Sequence, residues 1–139
     1  MIRWIFVFLW AGMIFYLSSI PNLSSGLEAD FILRKFAHIF VYFILTVLVF
    51  YALWGKQKAS KDVLKTSLLA FCLSFLYALS DEYHQTFVFG RSGSLKDVLI
   101  NLVGVGLAVF LLNKFKFIPG SKNKKQSKDG KIRQMPKKL

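Results

Sequence analysis

The chain has 139 residues, is 55% hydrophobic, and carries 19 Lys and Arg against 7 Asp and Glu, a net charge of +12. The length suits one domain, and the apolar fraction lies above the usual globular range. A basic balance in a soluble chain would point to nucleic acid. Here the apolar residues gather in long runs that a soluble basic module does not need.

Four such windows occur, at 4–20, 36–54, 64–79 and 98–112. A helix needs about 20 mainly apolar residues to cross the hydrocarbon core, with roughly 17 as a lower limit. The third and fourth windows reach that length only with their polar ends in the headgroup region. Buried helices of a soluble bundle would each show a polar stripe, and these show none. The pattern predicts an all-α protein, a four-helix transmembrane bundle.

The first window has Arg3 ahead of it, as a secretory signal would, but "SSIPNLSSG" offers no A-x-A-like cleavage site. It is expected to stay as the first span, ended by Ser18-Ser19 and Pro21. The second span opens with Lys35, His38 and Tyr42, which at i, i+3, i+7 share one helical face. The third contains Cys72, the only cysteine, expected as a buried packing residue and unable to form an intramolecular disulfide. It ends in Asp81, Glu82, His84 and Gln85. The fourth opens with Asp97, Asn101 and Gly104 at i, i+4, i+7. Gly104 and Gly106 are small residues suited to close helix contact or to a homodimer interface.

Charge alternates between the hydrophilic segments. Arg3, the second loop and the chain from Lys114 onward hold 15 basic residues and, as acids, only Asp62 and Asp129. The first and third loops and the adjoining helix ends hold Glu28, Asp30, Asp81, Glu82 and Asp97 against Arg34, Lys35, Arg91 and Lys96. The positive-inside rule then predicts both termini and the second loop to be cytoplasmic, in a multi-pass plasma-membrane protein. Residues 1–115 form the membrane domain. Residues 116–139 read as a disordered basic tail lying on the anionic inner leaflet. No aromatic platform accompanies that charge, so nucleic acid is not an expected partner.

Antiparallel spans bring the ends of the first and third to the same surface as the starts of the second and fourth. Every polar set therefore converges at one depth, facing outward. Ionisable groups near membrane depth carry a cost, about 2.5–3.5 kcal/mol each at a helix centre and less near the ends. They tend to face the bundle interior and to pair. Interfacial salt bridges of Lys35 and Arg91 with Asp81, Glu82 and Asp97 are the plain structural alternative to a site.

In the third loop, "FVFGRSGSLKD" sets Gly90 and Gly93 around Arg91, a turn with backbone N–H groups on offer. Ser94 stands three before Asp97, a spacing suited to capping the fourth helix. A helix N-terminus, a glycine-rich backbone and an arginine fork suit a phosphate or carboxylate. On this reading Lys35, Gln85, Arg91 and Ser94 contact an anionic ligand, while Asp97 and Asn101 hold the loop.

The stretch "SDEYHQTFVFGRSGSLKDVLINLVGVGLA", with its G-R-x-G-S-x-x-D and following N-x-x-G, resembles the VanZ-like family. "SSIP" after the first span and Lys35-x-x-His38 with Tyr42 extend the resemblance across roughly residues 4–113. Ala108 stands where the small-residue pattern often has glycine. The resemblance implies a small bacterial envelope protein, in a family named for a member associated with reduced susceptibility to the glycopeptide teicoplanin.

Three functions stay open. One is an envelope-facing module that binds membrane lipids, a lipid-linked cell-wall precursor or a lipoglycopeptide. Another is an enzyme on a lipid-linked phosphate or acyl substrate, with Glu82 or Asp81 as base and His38 or His84 as acid. No metal-ligand spacing such as H-x-x-x-H is present, so neither metal nor other cofactor is expected. Transport is the third, and four spans without a broken-helix repeat give it little support.

Overall fold

The computed structural model describes residues 2–21, 30–55, 63–91 and 93–115. They form four helices: α1 Ile2–Ser19, α2 Asp30–Trp54, α3 Val63–Gln85 and α4 Leu95–Lys114. All four are long and apolar enough to cross a membrane, and their 18 to 25 residues correspond to about 27–38 Å at 1.5 Å per residue. Each of α2, α3 and α4 runs past its apolar window. The polar residues 80–85 are wound into α3, because a helix satisfies its own backbone bonds where water is scarce. Pro21 follows the end of α1 as expected, and Ile20 N–H turns back to the carbonyl of Leu17 at 3.4 Å. The tail, the first loop beyond Pro21 and the lysines at 56, 58 and 61 lie outside the described residues.

The bundle is apolar outside, and inside it packs large side chains such as Tyr42, Phe50 and Trp54 against small and polar ones. Phe6, Phe8, Leu9, Phe36, Phe40 and Leu76 are among the large side chains turned outward. The inner face of α3 reads Ser67, Ala70, Ser74, Ala78, Asp81, Gln85, steps of three and four residues. Lipid is as apolar as leucine, so helices associate through close packing of small residues and through polar contacts. That rule also places Cys72: it is exposed on the outer face of α3, not buried as the sequence suggested. Its step from Ala70 and Ser74 puts it off the inner stripe.

Helices α2 and α3 pack against each other, and α1 and α4 each pack against both; α1 and α4 do not meet among the described residues. Gly104 is where α4 touches α2. A Cβ there would run into the backbone of Ile39. Gly106 has open space around its missing Cβ, so within the chain it serves no contact.

Helix α1 buries only Val7, Ile14 and Ser18, and side-chain bonds to backbone carbonyls supplement that thin contact. Trp10 Nε1 donates to Val41 at 2.9 Å, and Tyr77 donates its hydroxyl to Ala11 at 2.6 Å. At one end of the bundle Arg3 caps α2 through the carbonyls of Tyr51 and Gly55, each at 3.0 Å. At that end Asn113 Nδ2 also joins α4 to Ser67 of α3 at 2.8 Å. The opposite end collects the polar sets.

Candidate functional site

The polar residues at this end sort into two networks on either side of α2. The first joins α2, α3 and α4. Lys35 forms an ion pair with Asp97. His38 Nδ1 meets Asn101 Oδ1 at 2.8 Å, while Asn101 Nδ2 donates to Glu82 Oε1 at 3.4 Å. With its amide nitrogen committed to Glu82, Asn101 accepts at its oxygen, so His38 donates from Nδ1. The other Glu82 oxygen, Oε2, accepts the backbone N–H of Ser94 at 3.2 Å.

Glu82 thus holds the third loop against α3. Gly93 makes the approach possible, since a Cβ there would collide with the carbonyl of Glu82 and the methyl of Thr86. Ser94 caps α4 as the sequence suggested, its hydroxyl accepting from Lys96 N–H at 3.1 Å. The reciprocal half of a capping box is supplied differently. Asp97 turns to Lys35, and Glu82 from the neighbouring helix serves the Ser94 N–H in its place. Glu82 thus holds the loop directly, and Asn101, which the sequence reading had assigned to that part with Asp97, is bonded to its other oxygen.

The second network joins α1, α2, α3 and the loop around Asp81, which is 3% exposed. Its Oδ2 accepts from the Tyr42 hydroxyl at 2.9 Å and from Gln85 Nε2 at 3.2 Å. Its Oδ1 is buried and has no hydrogen-bond partner among the described residues. Gln85 also contacts Ser18 Oγ at 3.4 Å, which ties α3 to the end of α1.

Arg91 folds inward. Gly90, at φ 75°, takes the left-handed conformation that turns the chain back. The guanidinium then caps α1, with Nη2 on the carbonyl of Leu17 at 2.7 Å and Nε on that of Ile20 at 3.1 Å. Nη1 reaches Gln85 Oε1 at 3.5 Å. A cation at a helix C-terminus also meets the negative end of the macrodipole. Burial pulls the Arg91 pKa below its ordinary value, Asp81 pushes it back up, and the like charge of Arg34 lowers it further. The group nevertheless stays a cation.

The loop's backbone N–H groups are less available than the sequence implied. Those of Thr86, Phe87, Val88 and Arg91 bond the carbonyls of Tyr83, His84, Gln85 and Val88, and that of Ser94 goes to Glu82.

Between α1 and α2 lies a cleft of about 100 Å³ lined by Ile14, Leu17, Ser18, Arg34, Ala37, His38, Val41, Tyr42, Asp81 and Arg91. Its walls follow from helical spacing: 14, 17, 18 on α1 and 34, 37, 38, 41 on α2 are runs of i, i+3, i+4 neighbours. Of the site residues expected from sequence, the fold brings Asp81, His38 and Arg91 into this cleft and sets Gln85 at its edge. Lys35, Glu82, Ser94, Asp97 and Asn101 belong to the network on the α4 side. His84 is turned away, stacked on Phe15 at 4.5 Å with Nε2 3.1 Å from Ser19 Oγ. The sequence reading missed Arg34 and Ser18 as lining residues. The available signal was that Arg34 precedes His38 by four. Among the described residues no group of three or more His, Cys, Asp or Glu is placed to hold a metal ion.

A protein called "Uncharacterized membrane protein YwnJ" from Bacillus subtilis (strain 168) is 34% identical over 101 residues, covering 67% of this chain and 64% of that protein. The chain thus aligns with somewhat under two thirds of its relative's length. No solved structure matches it. A family model described as VanZ/LLP1 matches residues 3–117, which take in the polar cluster and all of the four helices but Ile2, and the chain is a membrane protein of that family.

Proposed function

We propose that the protein binds an anionic amphiphile at the outer boundary of the plasma membrane, in the cleft between α1 and α2. The observation that carries this reading is the composition of the cleft. Ile14, Leu17, Ala37 and Val41 give it apolar walls, and Arg34, Arg91 and Asp81 give it a charged end. Arg34 and Arg91 both line the cleft, and guanidinium groups offer an anion charge-assisted hydrogen bonds. The apolar walls suit an acyl chain. Lipids, lipid-linked cell-wall precursors and lipoglycopeptides all combine these two features.

The outward orientation rests on the positive-inside rule, since the basic segments flank the opposite end of the bundle. A lower susceptibility to teicoplanin, the phenotype the family is named for, is the form this binding takes in a cell whose target lies at the membrane surface.

A catalytic variant of the same site is favoured by one observation, the unpartnered Asp81 Oδ1. In that variant Asp81 is the base, and His38 lines the same cleft. Glu82 is unsuited to the role because both its oxygens already accept hydrogen bonds.

The test uses the full chain in phosphatidylcholine nanodiscs titrated with 1-acylglycerol-3-phosphate and with glycerol 3-phosphate. Saturable binding of the acylated form is expected, weaker by about tenfold for Arg34→Ala and for the chainless phosphate, about 1.4 kcal/mol each. Equal affinity for the two phosphates, or no saturation, overturns the reading. Release of phosphate or fatty acid by wild type, lost in Asp81→Asn, establishes the catalytic variant.

A further inference from the structure

We infer that the bound amphiphile carries a hydrogen-bond donor, a hydroxyl or amide N–H, between its anionic group and its chain, and that Asp81 selects for it. This rests on the amphiphile reading above and narrows its ligand class. Three observations carry it.

The first is the state of Asp81. The side chain is almost fully buried, and both of its donors, Tyr42 and Gln85, converge on Oδ2. Oδ1 has no partner among the described residues, and the residue lines the cleft. A buried polar atom of this kind is costly until a donor reaches it.

The second is the order of groups along the cleft. Arg91 caps the last turn of α1 and touches Gln85, whereas Asp81 stands one turn before Gln85 on α3. One turn is about 5–6 Å. Passing from the charged mouth toward the bilayer centre, a ligand meets the guanidinium groups first and then, about one turn in, Asp81 with Ile14, Val41 and Tyr42 at its level. Its own groups match: the anion at the mouth, and the donor one turn in, where the alkyl chain begins.

The third is charge. A carboxylate repels a second anion, so the ligand's phosphate or carboxylate stays at the arginines. Only a neutral donor on the chain side suits Oδ1. A fully esterified diacyl phospholipid has acceptors alone at that position and leaves Oδ1 unserved. A monoacyl glycerophosphate, with its free backbone hydroxyl, and an N-acylated amphiphile, with its amide, both satisfy it.

The experiment compares 1-acylglycerol-3-phosphate with its 2-O-methyl ether, which keeps the anion and chain and loses only the donor. An N-acyl amino-alkyl phosphate tests the amide as the second source. Wild type in phosphatidylcholine nanodiscs is expected to favour the hydroxyl or amide ligand over the ether by about tenfold or more. In Asp81→Asn, whose amide has a donor to place toward the cleft, that preference falls to near onefold or reverses. The wild-type comparison needs no variant and stands even where Asp81→Asn folds poorly.

Saturable binding of ether and hydroxyl forms with equal affinity overturns the inference and leaves the amphiphile reading intact. Absence of saturable binding by any of them overturns both. An undiminished preference in a folded Asp81→Asn shows that the donor is read by another group, and also overturns the assignment to Asp81.

Discussion

At the scale of single residues, the site depends on a division of labour between two adjacent carboxylates. Successive residues on a helix point about 100° apart, so Asp81 and Glu82 on α3 face different neighbours. Glu82 accepts one donor on each oxygen, from the Ser94 backbone and from Asn101. Replacement by glutamine turns an amide N–H₂ toward one of those donors. Glu82→Gln is therefore expected to destabilise the fold by about 1–3 kcal/mol, the cost of an unsatisfied buried group. Asp81→Asn keeps an oxygen for Tyr42 and Gln85 and places its amide in the cleft, where no partner is lost. A thermal unfolding series in detergent should rank Glu82→Gln clearly below Asp81→Asn. The reverse ranking would make Asp81 the structural carboxylate.

At the scale of elements, the spans are joined by small residues and by side chains that reach backbone carbonyls. Gly104 lets α4 press against α2 at Ile39, and a Cβ there meets backbone, which cannot rotate away. Gly104→Ala is expected to force the helices apart, costing about 1–3 kcal/mol as overpacking does, and to break the Lys35–Asp97 and His38–Asn101 contacts between them. Gly106 lies two residues on and faces open space, so Gly106→Ala is neutral or slightly stabilising. Disulfide trapping between cysteines introduced on α2 and α4 measures the difference: slower in Gly104→Ala, unchanged in Gly106→Ala. Helix α1 is held more lightly than the others, by three buried residues and by bonds from Trp10, Tyr77 and Arg91. That is consistent with a cleft opening along its side.

At the scale of the whole molecule, topology decides which compartment the cleft faces. Cys72 is exposed on the outer face of α3, so Cys72→Ala supplies a cysteine-free background at little expected cost. In that background Phe89→Cys, at a position 82% exposed in the third loop, should react with an impermeant maleimide in intact cells. Phe115→Cys at the far end of α4 should react only after the membrane is opened. The opposite labelling pattern inverts the protein and removes the envelope-facing reading, while leaving the bundle itself unchanged.

How far the sequence could be read follows from what each signal encodes. Apolar length and chain direction set the height of a residue along the membrane normal. The four spans, their shared polar end, the Ser94 cap and the grouping of Lys35, His38, Asp81, Arg91 and Asn101 at one depth were all legible for that reason. Family membership was legible as well, in the spacing of the third-loop motif. Rotation about the helix axis was not. A helix in lipid suits apolar residues on every side, so hydrophobicity does not fix which face turns inward, and Cys72 was misplaced on that account. Only the packed structure chose the phase, through the stripe of Ser67, Ala70, Ser74 and Ala78 on α3 and the contact at Gly104. That phase gave Glu82 to the loop and Asp81 to the cleft, and it folded Arg91 back onto α1. The sequence by itself determined which chemistry meets at the end of the bundle; the tertiary structure decided which of those groups are consumed by one another and which oxygen is left for a ligand.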